Sequence, residues 1–215
     1  MNVFDIIGPI MIGPSSSHTA GAVKLGNVAR ILLGKPPVKA SITLYGSFAK
    51  TGKGHGTDKA LLAGINGYTM DDVRIRTIFD ECSFEYSFKF AENSDYHPNT
   101  AVIELTDGEI TITMRGASLG AGRVEIQEVD GMTVSFNGDY NTLIIFHHDR
   151  KGIIGEITTW LSENGVNIAF MKVFRLDKDD KAVSVIETDQ QVRNYKVLES
   201  VQEDLRVEYY EFTNA

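Results

Sequence analysis

Apolar residues follow a helical spacing near the start of the chain and a strand spacing over much of the rest. Val23, Val28, Ile31 and Leu32 form an apolar stripe that predicts a helix over residues 20–33. Gly34 and the following prolines are expected to end it. The alternating segment 38–45 predicts a strand. A second helix is predicted over 59–65 and a short strand over 73–79.

The middle of the chain favours antiparallel strands. Alternating runs separated by turn residues predict strands over 84–91, 99–106, 109–116, 123–129 and 132–137. Asp107-Gly108 and Asp130-Gly131 between such runs are typical hairpin turns. Helices followed by a mainly antiparallel sheet predict an α+β domain over residues 1–138.

A different order of elements begins at residue 142. The pattern predicts a strand over 142–147, a helix over 153–164, strands over 166–175 and 181–188 joined by a turn at 177–180, a helix over 190–201 and a strand over 207–212. This βαββαβ order predicts a ferredoxin-like domain over residues 142–215.

Composition narrows the class of protein. Hydrophobic residues make up 42% of the 215 residues, which is enough for a packed core. No apolar run approaches the roughly 20 residues of a membrane span, and residues 1–9 lack the basic start of a signal peptide. Cys82 is the single cysteine, which fits a reducing cytoplasm and excludes an internal disulfide. One cysteine alone cannot hold an iron–sulfur cluster or a structural zinc ion.

Charge is distributed unevenly along the chain. The net charge of −8 argues against nucleic acid as the main partner. Residues 1–60 carry a net +5, while the remainder carries −13. A local basic excess suits a small anionic substrate, although a solvated basic face explains it equally well.

A hydroxyl-rich motif lies at the start of the first predicted helix, within Gly13–Gly21. It contains Ser15, Ser16, Ser17, His18 and Thr19. Hydroxyl side chains and the free N–H groups of a helix start can bind a carboxylate or phosphate, and a histidine can act as a base at neutral pH. The alternative is that Ser17 or Thr19 simply caps the helix and that His18 lies on the surface.

A second motif, residues 46–58, is predicted to be a glycine-rich loop. Gly52, Gly54 and Gly56 would permit a ligand to approach the backbone closely. Lys53 and His55 supply a positive charge and a second imidazole, and Thr57 or Asp58 is expected to cap the following helix. Asp58 would also be placed to meet a substrate ammonium group. The alternative is a flexible basic loop.

The C-terminal part resembles an ACT domain, a regulatory module of amino-acid metabolism. The resemblance lies in residues 149–157 (Asp-Arg-Lys-Gly-Ile-Ile-Gly-Glu-Ile) and 164–168 (Asn-Gly-Val-Asn-Ile). It implies an amino-acid site, usually across a dimer interface, formed by Asp149, Gly152, Ile153, Asn167 and Ile168. Lys151 stands where such domains often have proline. A domain used only for dimerisation is the open alternative.

The two N-terminal motifs resemble those of the β subunit of bacterial iron–sulfur-dependent L-serine dehydratases, a family in which such a head precedes an ACT domain. They are also similar to the allosteric substrate-binding domain of some phosphoglycerate dehydrogenases. The resemblance implies one subunit of a two-chain lyase. The α subunit would hold a [4Fe–4S] cluster whose iron acts as a Lewis acid on the hydroxyl of L-serine, and the enamine product would become pyruvate and ammonia.

The chemistry of the side chains in the two motifs suggests roles for individual residues in such a reaction. His18, His55 and Lys53 are expected to be catalytic, and no metal ligand or pyridoxal phosphate is expected on this chain. The expected substrate-binding residues are Ser15, Ser16, Ser17, Thr19, Gly54, Gly56, Thr57 and Asp58. The chain is further expected to self-associate through either domain. The competing hypothesis is a non-catalytic sensor that binds an amino acid through its ACT domain.

Overall fold

The computed structural model describes residues 10–175, 181–196 and 205–212. The chain divides into two compact units, with the division between Gly131 and Met132. Both units combine helices with a sheet, as the predicted α+β class requires. The predicted turn at 177–180 and the part of the predicted last helix beyond residue 196 lie outside the described residues.

In the first part of the first unit, a single strand lies between helical segments, and the other strands follow. Its helical elements are a π-helical turn Ser16–Ala20, α1 Gly21–Leu33, α2 Gly46–His55, α3 Thr57–Ile65, a 3-10 turn Val73–Arg76 and α4 Ile78–Glu81. Its strands are β1 Lys39–Tyr45, β2 Glu85–Ala91, β3 Thr100–Thr106, β4 Thr111–Gly120 and β5 Arg123–Val129. Helix α1 ends at Gly34, whose φ of +77° belongs to the left-handed region that glycine adopts readily.

The sheet of this unit has the strand order β2-β1-β3-β4-β5. Strand β2 pairs in parallel with β1, and the other neighbouring strands are antiparallel. Helix α1 packs on β4, where small residues make room for it. A Cβ on Gly116 would lie 2.6 Å from Leu25 Cδ2, and a Cβ on Gly21 would lie 2.0 Å from Ser118 Oγ.

Helices α1 and α3 contact each other through backbone atoms. A Cβ on Gly26 would lie 2.4 Å from Leu61 O, and a Cβ on Gly64 would lie 2.0 Å from Val23 O. Near the end of α1, Arg30 Nη1 donates to Ile65 O at 3.1 Å. At the other end, Thr19 Oγ1 donates to His55 O at 3.4 Å. The two helices therefore run in the same direction, and their N-terminal ends lie side by side.

Two predictions for this unit are wrong. Residues 46–55 form helix α2 rather than a loop, and residues 73–79 form the 3-10 turn and the start of α4 rather than a strand. Helix α2 starts because Gly46, at φ +53°, lies against Pro98, whose carbonyl accepts from the N–H groups of Ser47 and Phe48. Phe48 is fully buried and anchors the helix. In the second case Asp72 caps the turn by accepting from Arg74 N at 2.9 Å.

The expected cap of helix α3 is also wrong. Its N-terminal capping position is Gly56, at φ +70°, and no side chain caps it. Thr57 Oγ1 is buried without a hydrogen-bond partner among the described residues, and Asp58 Oδ1 accepts from the adjacent Lys59 N at 2.9 Å.

The second unit has the predicted ferredoxin-like sheet. After β6 Met132–Phe136, its elements are β7 Asn141–His148, α5 Ile153–Glu163, β8 Ile168–Arg175, β9 Lys181–Thr188 and β10 Arg206–Tyr210. The four strands lie in the antiparallel order β10-β7-β9-β8. Leu143, Ile145, Ile157 and Leu161 pack the helix on the sheet. Residues 190–195 form turns rather than the first part of the predicted last helix.

Among the residues that the structure describes, no helix has the length and apolar character needed to cross a membrane.

Substituting Gly64 with alanine is expected to destabilise the first unit by about 1–3 kcal/mol, because the new methyl group would overlap the backbone of α1. Gly155→Ala is the matched control, since a Cβ there meets no atom within 4 Å. That variant should gain roughly 0.5–1 kcal/mol from the higher helix propensity of alanine. Urea unfolding of the two variants checks this, and equal stability of both would contradict the close helix contact.

Candidate active site

The hydroxyl-rich motif forms a π-helical turn that buries its histidine. Ser15 has an extended backbone and caps the turn, because its Oγ accepts from His18 N at 3.2 Å. His18 is only 8% exposed and Thr19 only 2%. The alternative in which Ser17 or Thr19 is the cap and His18 lies on the surface is therefore wrong.

Four hydroxyl groups surround the ring nitrogens of His18, and we call Ser15, Ser17, Ser47 and Thr51 the hydroxyl cluster. On one side, His18 Nδ1 lies 3.1 Å from Ser17 Oγ and 3.5 Å from Ser15 Oγ. On the other side, Nε2 lies 3.0 Å from Thr51 Oγ1 and 3.1 Å from Ser47 Oγ. Helix α2 supplies Ser47 and Thr51 one turn apart.

The ring of His18 packs against two other rings. Its centroid lies 5.2 Å from that of Phe48 in an edge-on arrangement and 4.8 Å from that of His55. Burial lowers the pKa of His18, and the neighbouring His55 lowers it further, while a hydrogen bond with the Ser47 backbone opposes the shift. His18 is therefore held in its neutral form at pH 7, as a proton acceptor must be.

A cavity of about 320 Å³ is lined by His55, whereas His18 is not among its lining residues and packs against His55. Several predicted site residues line it: Thr19, Lys53, Gly54, His55 and Gly56. The remaining lining residues are Ile12, Gly13, Pro14, Lys59, Ile75 and Arg76. The Nδ1 atom of His55 is buried and has no hydrogen-bond partner among the described residues. A buried polar atom beside a cavity is a ready contact for a polar ligand.

The electrostatics of the cavity favour an anion. Lys53, Lys59 and Arg76 bring three positive charges to its wall. Lys59 Nζ donates to Arg76 O at 2.8 Å, and Lys53 Nζ lies 5.6 Å from the centre of the Phe90 ring. Gly56, which precedes the first turn of α3, also lines the cavity, and helix N-termini attract negative charge.

Other predicted residues lie elsewhere. Ser16 Oγ accepts from Ala121 N at 3.2 Å, which ties the turn to the end of β4. Ser15 and Ser17 belong to the hydroxyl cluster, and neither they nor Thr57 and Asp58 line the cavity. Their assignment to substrate binding stays a prediction.

Sequence analysis did not assign four residues that the structure adds to this region: Ser47, Thr51, Lys59 and Arg76. Ser47 and Thr51 are four residues apart, so a helical interpretation of the second motif would have placed both hydroxyls on one face. Arg76 had no sequence signal, because a turn in the chain rather than a motif brings it to the cavity.

The residues of the predicted ACT ligand site fall into two separate groups within one chain. Asp149, Gly152 and Ile153 follow the end of β7, where Asp149 forms an ion pair with Arg175 at 2.6 Å. Asn167 and Ile168 lie at the opposite end of the sheet, because Ile168 is in register with Thr188, which pairs with Asn141 at the start of β7. Asn167 Nδ2 donates to Asp189 there at 2.5 Å.

No group of three or more histidine, cysteine or acidic side chains that could hold a metal ion occurs within 10–175, 181–196 and 205–212. Cys82 Sγ lies 3.5 Å from Phe84 O and 3.8 Å from Asn66 Nδ2. His147 is buried, with Nε2 2.8 Å from Ser184 Oγ and Nδ1 3.0 Å from His148 O. Both side chains are thus engaged within their own domains.

Comparison with known proteins matches both parts of the chain. Residues 2–84 match the model of the serine dehydratase beta chain family, and residues 141–205 match the ACT domain model. The chain is 39% identical over 197 residues to the probable L-serine dehydratase, beta chain, of Bacillus subtilis, covering 90% of each chain. It is 39% identical over 173 residues to the L-serine dehydratase, beta chain, of Peptoniphilus asaccharolyticus, covering 78% of each. A D-3-phosphoglycerate dehydrogenase of Bacillus subtilis is 25% identical over 182 residues, which is 34% of that chain.

The lowered pKa of His18 predicts a loss of stability in acid. The folded chain favours the neutral ring, so the unfolded chain binds more protons below the ordinary histidine pKa of about 6.5. The free energy of unfolding should therefore fall between pH 7 and pH 5 more steeply in the wild type than in His18→Gln. Urea unfolding across this range measures the two slopes. The exposed His97 provides the control, since His97→Gln should keep the wild-type slope, and parallel curves for the wild type and His18→Gln would contradict the assignment.

Proposed function

This chain belongs to the L-serine dehydratase β chain family, and we propose that it forms part of an enzyme that converts L-serine to pyruvate and ammonia. The observation that carries the proposal is the neutral, buried His18 packed on His55 beside a cavity with a basic wall. A proton acceptor next to an anion site is what removal of the α-proton of an amino acid requires. The close similarity to two L-serine dehydratase beta chains favours this function over a purely sensory one.

In this proposal the substrate carboxylate binds in the cavity. Lys53 and Arg76 supply positive charge, and Gly54 and Gly56 leave the backbone open to close approach. Thr19, a predicted carboxylate ligand, lines the cavity, and its hydroxyl donates to His55 O at 3.4 Å. At about 320 Å³ the cavity lies near the lower end of ligand pockets, which suits a molecule as small as serine.

The two imidazoles have different roles in this proposal. His55 lines the cavity and positions the bound amino acid, while its unpartnered Nδ1 stays available to a polar group. His18 accepts the α-proton, because burial holds it neutral and the hydroxyl cluster orients its ring. Lys53 keeps the carboxylate in place during this step.

A [4Fe–4S] cluster belongs to the proposal as a group held by a separate α subunit. The residues described for this chain do not offer the ligand set of a cluster, since Cys82 is its single cysteine and no suitable group of side chains surrounds it. When bound by the partner, the cluster would supply a Lewis acid for the substrate hydroxyl. A chain with one cysteine and a partner-held cluster also fits a reducing cytoplasm.

We further propose that the ACT domain binds a regulatory amino acid between two copies of the chain. The two groups of predicted ligand residues lie at opposite ends of one sheet, so a single copy does not bring them together. Two copies side by side could join Gly152 of one with Asn167 of the other. If Asn167→Ala leaves the affinity of the self-associated protein for L-serine unchanged, this site is wrong.

Variants of the reconstituted two-chain enzyme test the catalytic roles. His18→Gln should lower kcat by roughly a hundredfold or more, because it removes the proton acceptor. Lys53→Met should raise KM about tenfold or more, because it removes a charged partner of the carboxylate. Pyruvate formation measures both effects, and gel filtration confirms that the variants assemble.

Lys50 and His97 provide matched controls. Lys50 lies on the same helix as Lys53, is mostly exposed and pairs with Glu92 at 3.1 Å. His97 is exposed and accepts from Asn99 N at 3.1 Å. Lys50→Met and His97→Gln should keep kcat and KM within about twofold of the wild type. Wild-type kinetics in His18→Gln or Lys53→Met would refute the roles proposed for those residues.

A further inference from the structure

The hydroxyls of Ser15, Ser17 and Thr51 can form with His18 a path of hydrogen bonds that run in one direction. Thr51 Oγ1 donates to Ser47 O at 2.9 Å. Threonines in helices often form this bond to the carbonyl four residues earlier. A hydroxyl has one hydrogen, so Thr51 Oγ1 can only accept from any further partner. That further partner is His18 Nε2, at 3.0 Å.

This orientation of the Thr51 hydroxyl favours the tautomer of His18 that carries its hydrogen on Nε2. If Nε2 were unprotonated, two lone pairs would face each other at 3.0 Å. Because His18 is neutral, Nδ1 is left as its acceptor.

The other side of the ring completes the sequence of bonds. Ser15 Oγ accepts from His18 N at 3.2 Å, so its own hydrogen is free for Ser17 Oγ at 3.2 Å. The hydrogen of Ser17 can then point to His18 Nδ1, at 3.1 Å. Every hydroxyl in the path from Ser15 to Thr51 has one donor role and one acceptor role, and backbone groups fix both ends.

We propose that Thr51 is a positioning residue that fixes His18 in the Nε2–H tautomer and so directs its proton-accepting Nδ1 to the hydroxyl of Ser17. Rotation of the Thr51 hydroxyl is prevented by the Ser47 carbonyl, so the tautomer is set by the helix backbone. Ser17 is half-buried, whereas His18 is buried. The Ser17 hydroxyl, 3.1 Å from Nδ1, is then the group that holds this acceptor in place.

The catalytic part of this inference rests on the proposed function, whereas the tautomer does not. Thr51 is exposed, so its substitution leaves the buried core in place. Thr51→Val keeps the shape of the side chain and removes the hydroxyl. The Ser47 hydroxyl, 3.1 Å from Nε2, then becomes free to donate to it, which favours the Nδ1–H form. Thr51→Ser keeps the hydroxyl and is the matched control.

Nitrogen-15 NMR of the isolated full chain, labelled at histidine, measures the tautomer directly. The chain has five histidines, and the His18 signals are those lost in His18→Gln. At pH 8 the wild type and Thr51→Ser should show a single Nε2–H form, and Thr51→Val should show a substantial Nδ1–H population. An Nδ1–H ring in the wild type, or an unchanged tautomer in Thr51→Val, would overturn the proposal.

Kinetics of the reconstituted enzyme test the consequence for catalysis. Thr51→Val should lower kcat roughly tenfold or more with little change in KM, and Thr51→Ser should restore it. A wild-type kcat in Thr51→Val would overturn the positioning role. Failure of the proposed function would show instead as absent turnover by the wild-type complex, while the NMR result would still decide the tautomer.

Discussion

The close contact between α1 and α3 at Gly26 and Gly64 is the constraint on which the site depends. Any side chain at either position would overlap the backbone of the other helix. Because the helices are parallel, this contact brings the turn Ser16–Ala20 and the residues before Thr57 to one end of the pair. Two helix N-termini, two imidazoles and the cavity are thus gathered by packing that involves no catalytic side chain.

Burial and hydrogen bonding then set the chemistry of the gathered groups. Removing His18 from water favours its neutral form, and its neighbour His55 opposes a second positive charge nearby. Lys53, Lys59 and Arg76 line the cavity, where a carboxylate can reach them. The same small region therefore offers an anion site and a neutral base. Basic side chains supply the first, and burial of the His18 ring supplies the second.

Sequence analysis predicted the secondary structure correctly where the local pattern and the tertiary contacts favour the same element. Helix α1, strands β1 to β5 and the ferredoxin-like order of β7 to β10 follow from periodicity and turn residues. It failed at residues 46–55, because three glycines favour a loop by propensity. The buried Phe48 and the Pro98 carbonyl outweigh that preference. Gly52 also suits the close packing of the helix, since a Cβ there would lie 3.3 Å from Thr57 Cβ.

This error explains why sequence analysis missed Ser47 and Thr51. Histidine, lysine and serine side chains are common catalytic and binding groups. The two histidines, Lys53 and the serine motif could therefore be identified as candidates from residue type alone. Ser47 and Thr51 gain a role only when helix α2 places both on the face that meets His18. Arg76 reaches the cavity through the 3-10 turn. Such residues depend on distant contacts that a local pattern does not contain.

The central claim is that this chain holds the base and the anion site of a serine dehydratase while another chain holds the cluster. The most direct test compares pyruvate formation from L-serine by the purified chain alone and after mixing with a cluster-bearing α subunit. The account predicts no turnover by the chain alone and full turnover by the mixture. Substantial conversion by the chain alone, or none by the assembled mixture, would contradict it.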